Sequence, residues 1–137
     1  MNREILFRGK RTDNSEWVYG CAAKSGGTFI ICDNGLTYGG FDVYEVVPET
    51  VGQYTGLTDK YGNKIFEGDV FNVSGFVAGD FFRNRLVVEF IKGCFYCVFY
   101  GKLRMYKELL KDVNTDRNFE VEVIGNIHDN PELMGGN

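Results

Sequence analysis

Asp59, Glu67, Asp69 and His128 are the residue types that acid/base or metal-assisted hydrolysis needs. Carboxylates grouped with a histidine can activate water on a phosphoester, directly or around a divalent cation. Each also has a cheaper structural use. Asp59 precedes the turn sequence Lys60-Tyr61-Gly62, and Asp69 follows Gly68. At such bends an aspartate accepts backbone N–H bonds, and glycine takes the left-handed conformation. Glu67 flanks Gly68, and His128 stands just before Asn130-Pro131. We therefore read these acids mainly as turn formers, with a metal-dependent hydrolase as an alternative and no catalytic residue assigned.

Cys94 and Cys97 have the CxxC spacing, and with Cys21 and Cys32 they would supply four thiolates for zinc. The intervening Phe95-Tyr96 lies in the β-type run CFYCVFY, where positions three apart point to opposite faces. A redox CxxC would open a helix, and none follows. The thiols are expected to be reduced and to behave as small hydrophobes, with no metal and no cofactor.

The elements that must position these residues are mostly strands. Of 137 residues, 12 are Phe, 8 Tyr and 18 Gly, with only 2 Pro, a balance of strand formers and turn formers. The length suits one domain, 1–137. Arg3 to Cys21 reads as a hairpin with a polar loop, and Thr28 to Cys32 as a strand closed by Asp33-Asn34-Gly35. Gly26-Gly27 and Gly39-Gly40 read as loops. Val43 to Val47 is extended and ends at Pro48. Gln53 to Leu57 and Lys64 to Phe66 flank the Asp59–Gly62 turn, and Val70 to Val73 continues after the bend at Gly68. RLVVEF and CFYCVFY make another hairpin around Ile91-Lys92-Gly93. Leu103, Tyr106, Leu110 and Val113 fall at spacings of 3, 4 and 3, which predicts a helix over 102–113. Phe119, Val121 and Val123 alternate as a strand. Asn130 as N-cap and Pro131 at the first helical position predict a short final turn. The expected fold is mainly β: a strongly bent antiparallel sheet or partly open small barrel with one helix across it.

Three pieces, REILFR (Arg3–Arg8), PETVGQYTGLTDKYGNKIFEGDV (Pro48–Val70) and VIGNIHDNPEL (Val123–Leu133), together resemble the YopX family of small phage and prophage proteins. The middle block is the most specific, and 75–118 matches only in general character. The resemblance implies a phage or prophage origin, one strand-rich domain and self-association. It implies no activity to carry over. The family-motif residues that fall at turns are Gly56, Asp59, Gly62, Glu67, Gly68, Asp69, Gly125, Asn126, Asn130 and Pro131.

Charge narrows the partners. A net charge of −4 argues against a protein that lives on a phosphate backbone, where Lys and Arg must displace counterions. Arg104, Lys107 and Lys111 would form a basic stripe on the helix, with Glu108 pairing Arg104, and the default for such a stripe is a solvated face. The segment Ser74 to Arg85 reads as a glycine-punctuated loop carrying Phe76, Val77, Phe81 and Phe82. Loop aromatics that do not reach the core make interfaces, so Phe76, Phe81, Phe82, Arg83 and Arg85 are the candidate contact surface. Stacking on single-stranded nucleic acid is the alternative use of those residues. The N-terminus lacks the long apolar core of a signal peptide, and no stretch is apolar for the length of a membrane span. The sequence thus reads as a non-enzymatic, cytoplasmic accessory protein of phage origin. Its partners would be further copies of itself, or a host or phage protein.

Overall fold

The computed structural model describes residues 4–37, 40–100, 105–109 and 118–133. The chain divides into two compact units, Met1–Gly56 and Leu57–Asn137.

In the first unit, β1 (Phe7–Lys10), β2 (Trp17–Ser25), β3 (Thr28–Thr37), β4 (Gly40–Glu45) and the start of β5 (Gly52–Thr58) form an antiparallel sheet in the order β4-β3-β2-β1-β5. Gly26 and Gly27 join β2 to β3, with φ of 58° and 87°. Two left-handed residues give a turn whose twist matches that of the strands it joins, and glycine reaches that geometry without strain. The strand β2 changes partner along its length: Trp17 to Gly20 pair with β1, and Cys21 to Ser25 pair with β3. Arg8 is buried, with its guanidinium 4.6 Å above the Trp17 ring. Pro48 ends the extended run as expected, opening a single 3-10 turn at Pro48–Thr50. The Thr50 hydroxyl donates to the Val47 carbonyl at 2.6 Å and accepts the Lys10 N–H at 2.9 Å.

In the second unit the end of β5 and β6 (Lys64–Phe66) flank the Asp59–Asn63 turn. The remaining strands are β7 (Asp69–Val77), β8 (Asp80–Ile91), β9 (Cys94–Tyr100), β10 (Met105–Leu109) and β11 (Phe119–Asn126). They form a second antiparallel sheet in the order β10-β9-β8-β7-β11. Its core is Ile65, Phe71, Val73, Leu86, Val88, Cys97 and Val121, with Leu57, Phe82, Phe95, Phe119 and Val123 packed around it. The alternation that puts Phe71 and Val73 inside places Asn72 and Ser74 on the other face.

The mainly β class follows from the composition, but four local expectations are corrected. The helix expected over 102–113 is a strand at Met105–Leu109, paired with β9 from Met105 opposite Tyr100 to Leu109 opposite Tyr96. The ladder supplied by β9 outweighs a helical spacing that was carried by only four apolar positions. The rest of that segment, with Arg104 and Lys111, lies outside the described residues, and the stripe geometry does not hold at Lys107. The loop expected from Ser74 to Arg85 is one continuous hairpin of β7 and β8, closed by Ala78 (φ 51°) and Gly79 (φ 86°). Gly75, which looked like a loop glycine, sits within β7, where a Cβ would collide with the Asn118 carbonyl. Asp33-Asn34-Gly35 does not end β3, which runs on to Thr37 with a register irregularity between Asp33 and Thr37. Gly40, expected in a loop, opens β4, while Gly39 lies outside the described residues.

Phe71 is fully buried and Ile5 is 58% exposed. Urea unfolding should show Phe71→Ala losing about 3–5 kcal/mol, and Ile5→Ala losing no more than about 0.5 kcal/mol.

Candidate functional site

The β7–β8 hairpin and β11 present one solvent face of the second sheet, and its side chains follow from the register. Phe76 stands opposite Phe81 at the hairpin end. The next row on the same face is Glu120, Ser74 and Arg83, and the row after it is Glu122, Asn72 and Arg85. Phe76 and Phe81 are 64% and 57% exposed, and their rings meet edge to face with centroids 5.4 Å apart. Phe82 faces the other way. It is half-buried and packs edge to face on Phe119 at 5.3 Å. Of the three phenylalanines in the candidate contact surface, two are therefore available and one belongs to the core edge.

Below the aromatic pair the face is polar. A groove of about 350 Å³ is lined by Lys60, Asn72, Ser74, Phe81, Arg83, Glu120 and Glu122. Lys60 lies 3.3 Å from Glu120 and 3.7 Å from Glu122. The hydrogen bond that Lys60 donates to Glu120 raises the Lys60 pKa above its ordinary value, against the opposing effect of desolvation. Arg85 donates to the Leu133 carbonyl at 3.2 Å. Cations and carboxylates thus alternate on this face, a weaker pattern for a phosphate backbone than an uninterrupted basic patch would be.

Two of the acids singled out for chemistry, Asp59 and Asp69, are held as structural acceptors, and Glu67 lies half-buried in the turn before Gly68. Asp59 is 6% exposed. One of its oxygens accepts the N–H groups of Tyr61 and Asn63 at 3.0 and 2.9 Å. The other accepts the Asn63 side-chain amide at 3.2 Å and the Val123 N–H at 3.0 Å. The Lys60 N–H donates to the Val121 carbonyl at 3.0 Å, so the turn also caps the outer edge of β11. Asp69 is 2% exposed and accepts the Phe66 N–H at 2.7 Å, spanning the bend at Gly68, whose φ is 90°. His128 lies against Gly68, with its Nε2 3.5 Å from where a Cβ would be, and the Ile127 N–H donates to the Gly68 carbonyl at 2.9 Å. Asn126 organises the last turn: its side-chain oxygen accepts the N–H groups of His128 and Asp129 at 3.0 and 2.9 Å. Its own N–H donates to the Asn130 side chain at 3.3 Å. Pro131 opens the short 3-10 helix Pro131–Leu133. Among the described residues, no three His, Cys, Asp or Glu side chains come together as a metal site. In β9, Cys94 is exposed and Cys97 buried.

From Leu57 onward the middle block packs with the last one, joined by the bonds of Asp59, Lys60 and Gly68 and by the pairing of Asp69 with Asn126. The first block meets the start of the middle one separately, Phe7 opposite Gln53 and Arg8 opposite Gly52, while Arg3 lies outside the described residues. A sequence profile of the YopX protein matches residues 6–135. The chain belongs to the YopX family. Among solved structures it is similar to that of protein EF1440 from Enterococcus faecalis, with a TM-score of 0.50 and 21% identity over 96% of this chain and 98% of that one. That likeness is one of fold. No curated protein matches the chain. Sequence reasoning read Asp59, Gly62, Glu67 and Gly68 at turns, where they lie, whereas Gly56 lies within β5 and Gly125 and Asn126 lie within β11. It missed the reach of Asp59 to Val123, because a contact across 64 positions leaves no local pattern.

Burial pushes the Asp59 carboxyl up, and the N–H groups of Val123 and Asn63, the Asn63 amide and the Tyr61 N–H outweigh it, so its pKa lies below the ordinary 3.8. A depressed carboxylate contributes stability above the unfolded value, and that contribution is lost as pH falls through the folded one. Asp59→Asn should cost about 2–4 kcal/mol near neutral pH in urea unfolding. The gap to wild type should shrink steadily below pH 3.8. An unchanged gap in acid would mean that the charge of Asp59 is not what the N–H groups stabilise.

Proposed function

We propose that this YopX-family protein is a non-enzymatic, phage-derived accessory protein that acts through protein–protein contacts and assembles with further copies of itself. The observation that carries the reading is the exposed Phe76–Phe81 pair at the end of the β7–β8 hairpin. Two aromatic rings held side by side on rigid strands offer a large apolar contact with little side-chain entropy to lose, the chemistry that protein interfaces concentrate at their centres. The alternating charges of Lys60, Arg83, Glu120 and Glu122 beside the pair suit the rim of such a contact. The engagement of Asp59 and Asp69 with backbone N–H groups supports the non-enzymatic reading.

Size-exclusion chromatography with light scattering tests this directly. Wild type should run as a discrete oligomer at low and moderate salt, and Phe76→Ser with Phe81→Ser should shift it to monomer while leaving the urea midpoint nearly unchanged. A monomeric wild type, or an oligomer indifferent to both substitutions, would remove self-assembly through this pair. Binding of single-stranded DNA or RNA by the wild type, lost in Arg83→Ala with Arg85→Ala, would favour the nucleic-acid reading instead.

A further inference from the structure

Cys21 and Cys32 are far apart in sequence terms for a hairpin yet directly opposite one another in the β2–β3 ladder. The register is fixed by the two-residue turn: Ser25 faces Thr28, and each step outward adds a pair until Cys21 faces Cys32. Directly opposed residues share a face of the sheet. Counting from the turn, Cys21 and Cys32 form a hydrogen-bonded pair, for which the Cα separation is about 5.5 Å. That is within the window of about 4.4–6.8 Å in which a disulfide closes. Both sulfurs are thiols in this structure, Cys21 exposed and Cys32 half-buried. On the far side of Cys32 stands Val43, itself exposed, so this face is open to small reagents. The other cysteines have no such arrangement, since Cys94 faces Ile91 and Cys97 faces Val88.

We propose that Cys21 and Cys32 form a reversible dithiol–disulfide site, oxidised by low-molecular-weight disulfides of the glutathione type. The Cys21 thiolate attacks one sulfur of the reagent, the reagent S–S bond breaks, and one reagent thiol leaves carrying the proton that Cys21 gave up. The Cys32 thiolate then attacks the Cys21 sulfur, forming the intramolecular S–S bond and expelling the second reagent thiol with the proton of Cys32. Two electrons pass from the protein to the reagent, and one reagent disulfide becomes two thiols. Directly opposite residues in a ladder hold their Cβ atoms about 4.5–5.5 Å apart, whereas a relaxed disulfide needs about 3.5–4.5 Å. Closure therefore draws the strands slightly together, which makes the bond easier to reduce than a structural disulfide. The site lies where β2 passes from β1 to β3, so oxidation staples that junction.

The test is to titrate the folded, full-length protein with oxidised glutathione and follow intact mass and peptide mapping. In the expected product the Cys21–Cys32 pair is two hydrogens short of the dithiol, keeps no glutathione on either residue, and is returned to the dithiol by reduced glutathione. Exposed Cys94 serves as the internal control and should instead retain one glutathione. Cys21→Ser should leave Cys32, and Cys32→Ser should leave Cys21, as a lasting glutathione adduct. Separate glutathione adducts on both residues of wild type, unchanged thiols at concentrations that modify Cys94, or pairing of either cysteine with Cys94 would overturn the proposal.

Discussion

The second unit depends on one buried carboxylate. Asp59 gathers the N–H groups of its own turn and that of Val123 on β11, so a single side chain closes the β5–β6 hairpin and fastens it to the strand that completes the second sheet. A carboxylate is suited to this because its two oxygens offer about four acceptor positions, and four donors converge here. Charge-assisted bonds to backbone N–H groups are also stronger than neutral ones, which offsets the cost of burying the charge. Asp69 repeats the device on a smaller scale at the next bend.

That organisation explains which parts of the sequence were legible. Local features were readable because their causes are local. Gly62 and Gly68 have positive φ, Pro48 and Pro131 begin short 3-10 turns, and Lys92-Gly93 closes the β8–β9 hairpin. The failures share a different cause. Gly75 and Gly79 look alike in sequence, yet Gly79 makes a turn while Gly75 makes room inside β7 for the backbone of Asn118. Only the tertiary partner tells them apart. Met105–Leu109 likewise takes its conformation from β9.

The candidate site was legible in composition and misplaced in conformation. Phe76 and Phe81 were identified as surface aromatics, but strand periodicity, not loop freedom, puts both rings on one face and sends Phe82 to the core. The same periodicity explains why Arg83 and Arg85 share their face with Glu120 and Glu122 and do not form a basic patch. Asp59 and Asp69 accept backbone N–H groups at their turns, because an aspartate in a turn closed by a left-handed glycine has backbone donors within immediate reach.

The bond between Asp59 and Val123 also bears on how the chain acquires its structure as it is synthesised. Residues 59 and 63 can meet as soon as both exist, but the donor at Val123 arrives 64 positions later. Until then the outer edge of β7 has no β11, and Asp59 lacks one of its four donors. The second unit therefore closes only once β11 has been made, by a long-range pairing of the slow kind. During that interval a growing chain exposes an unfinished sheet edge to whatever else is nearby.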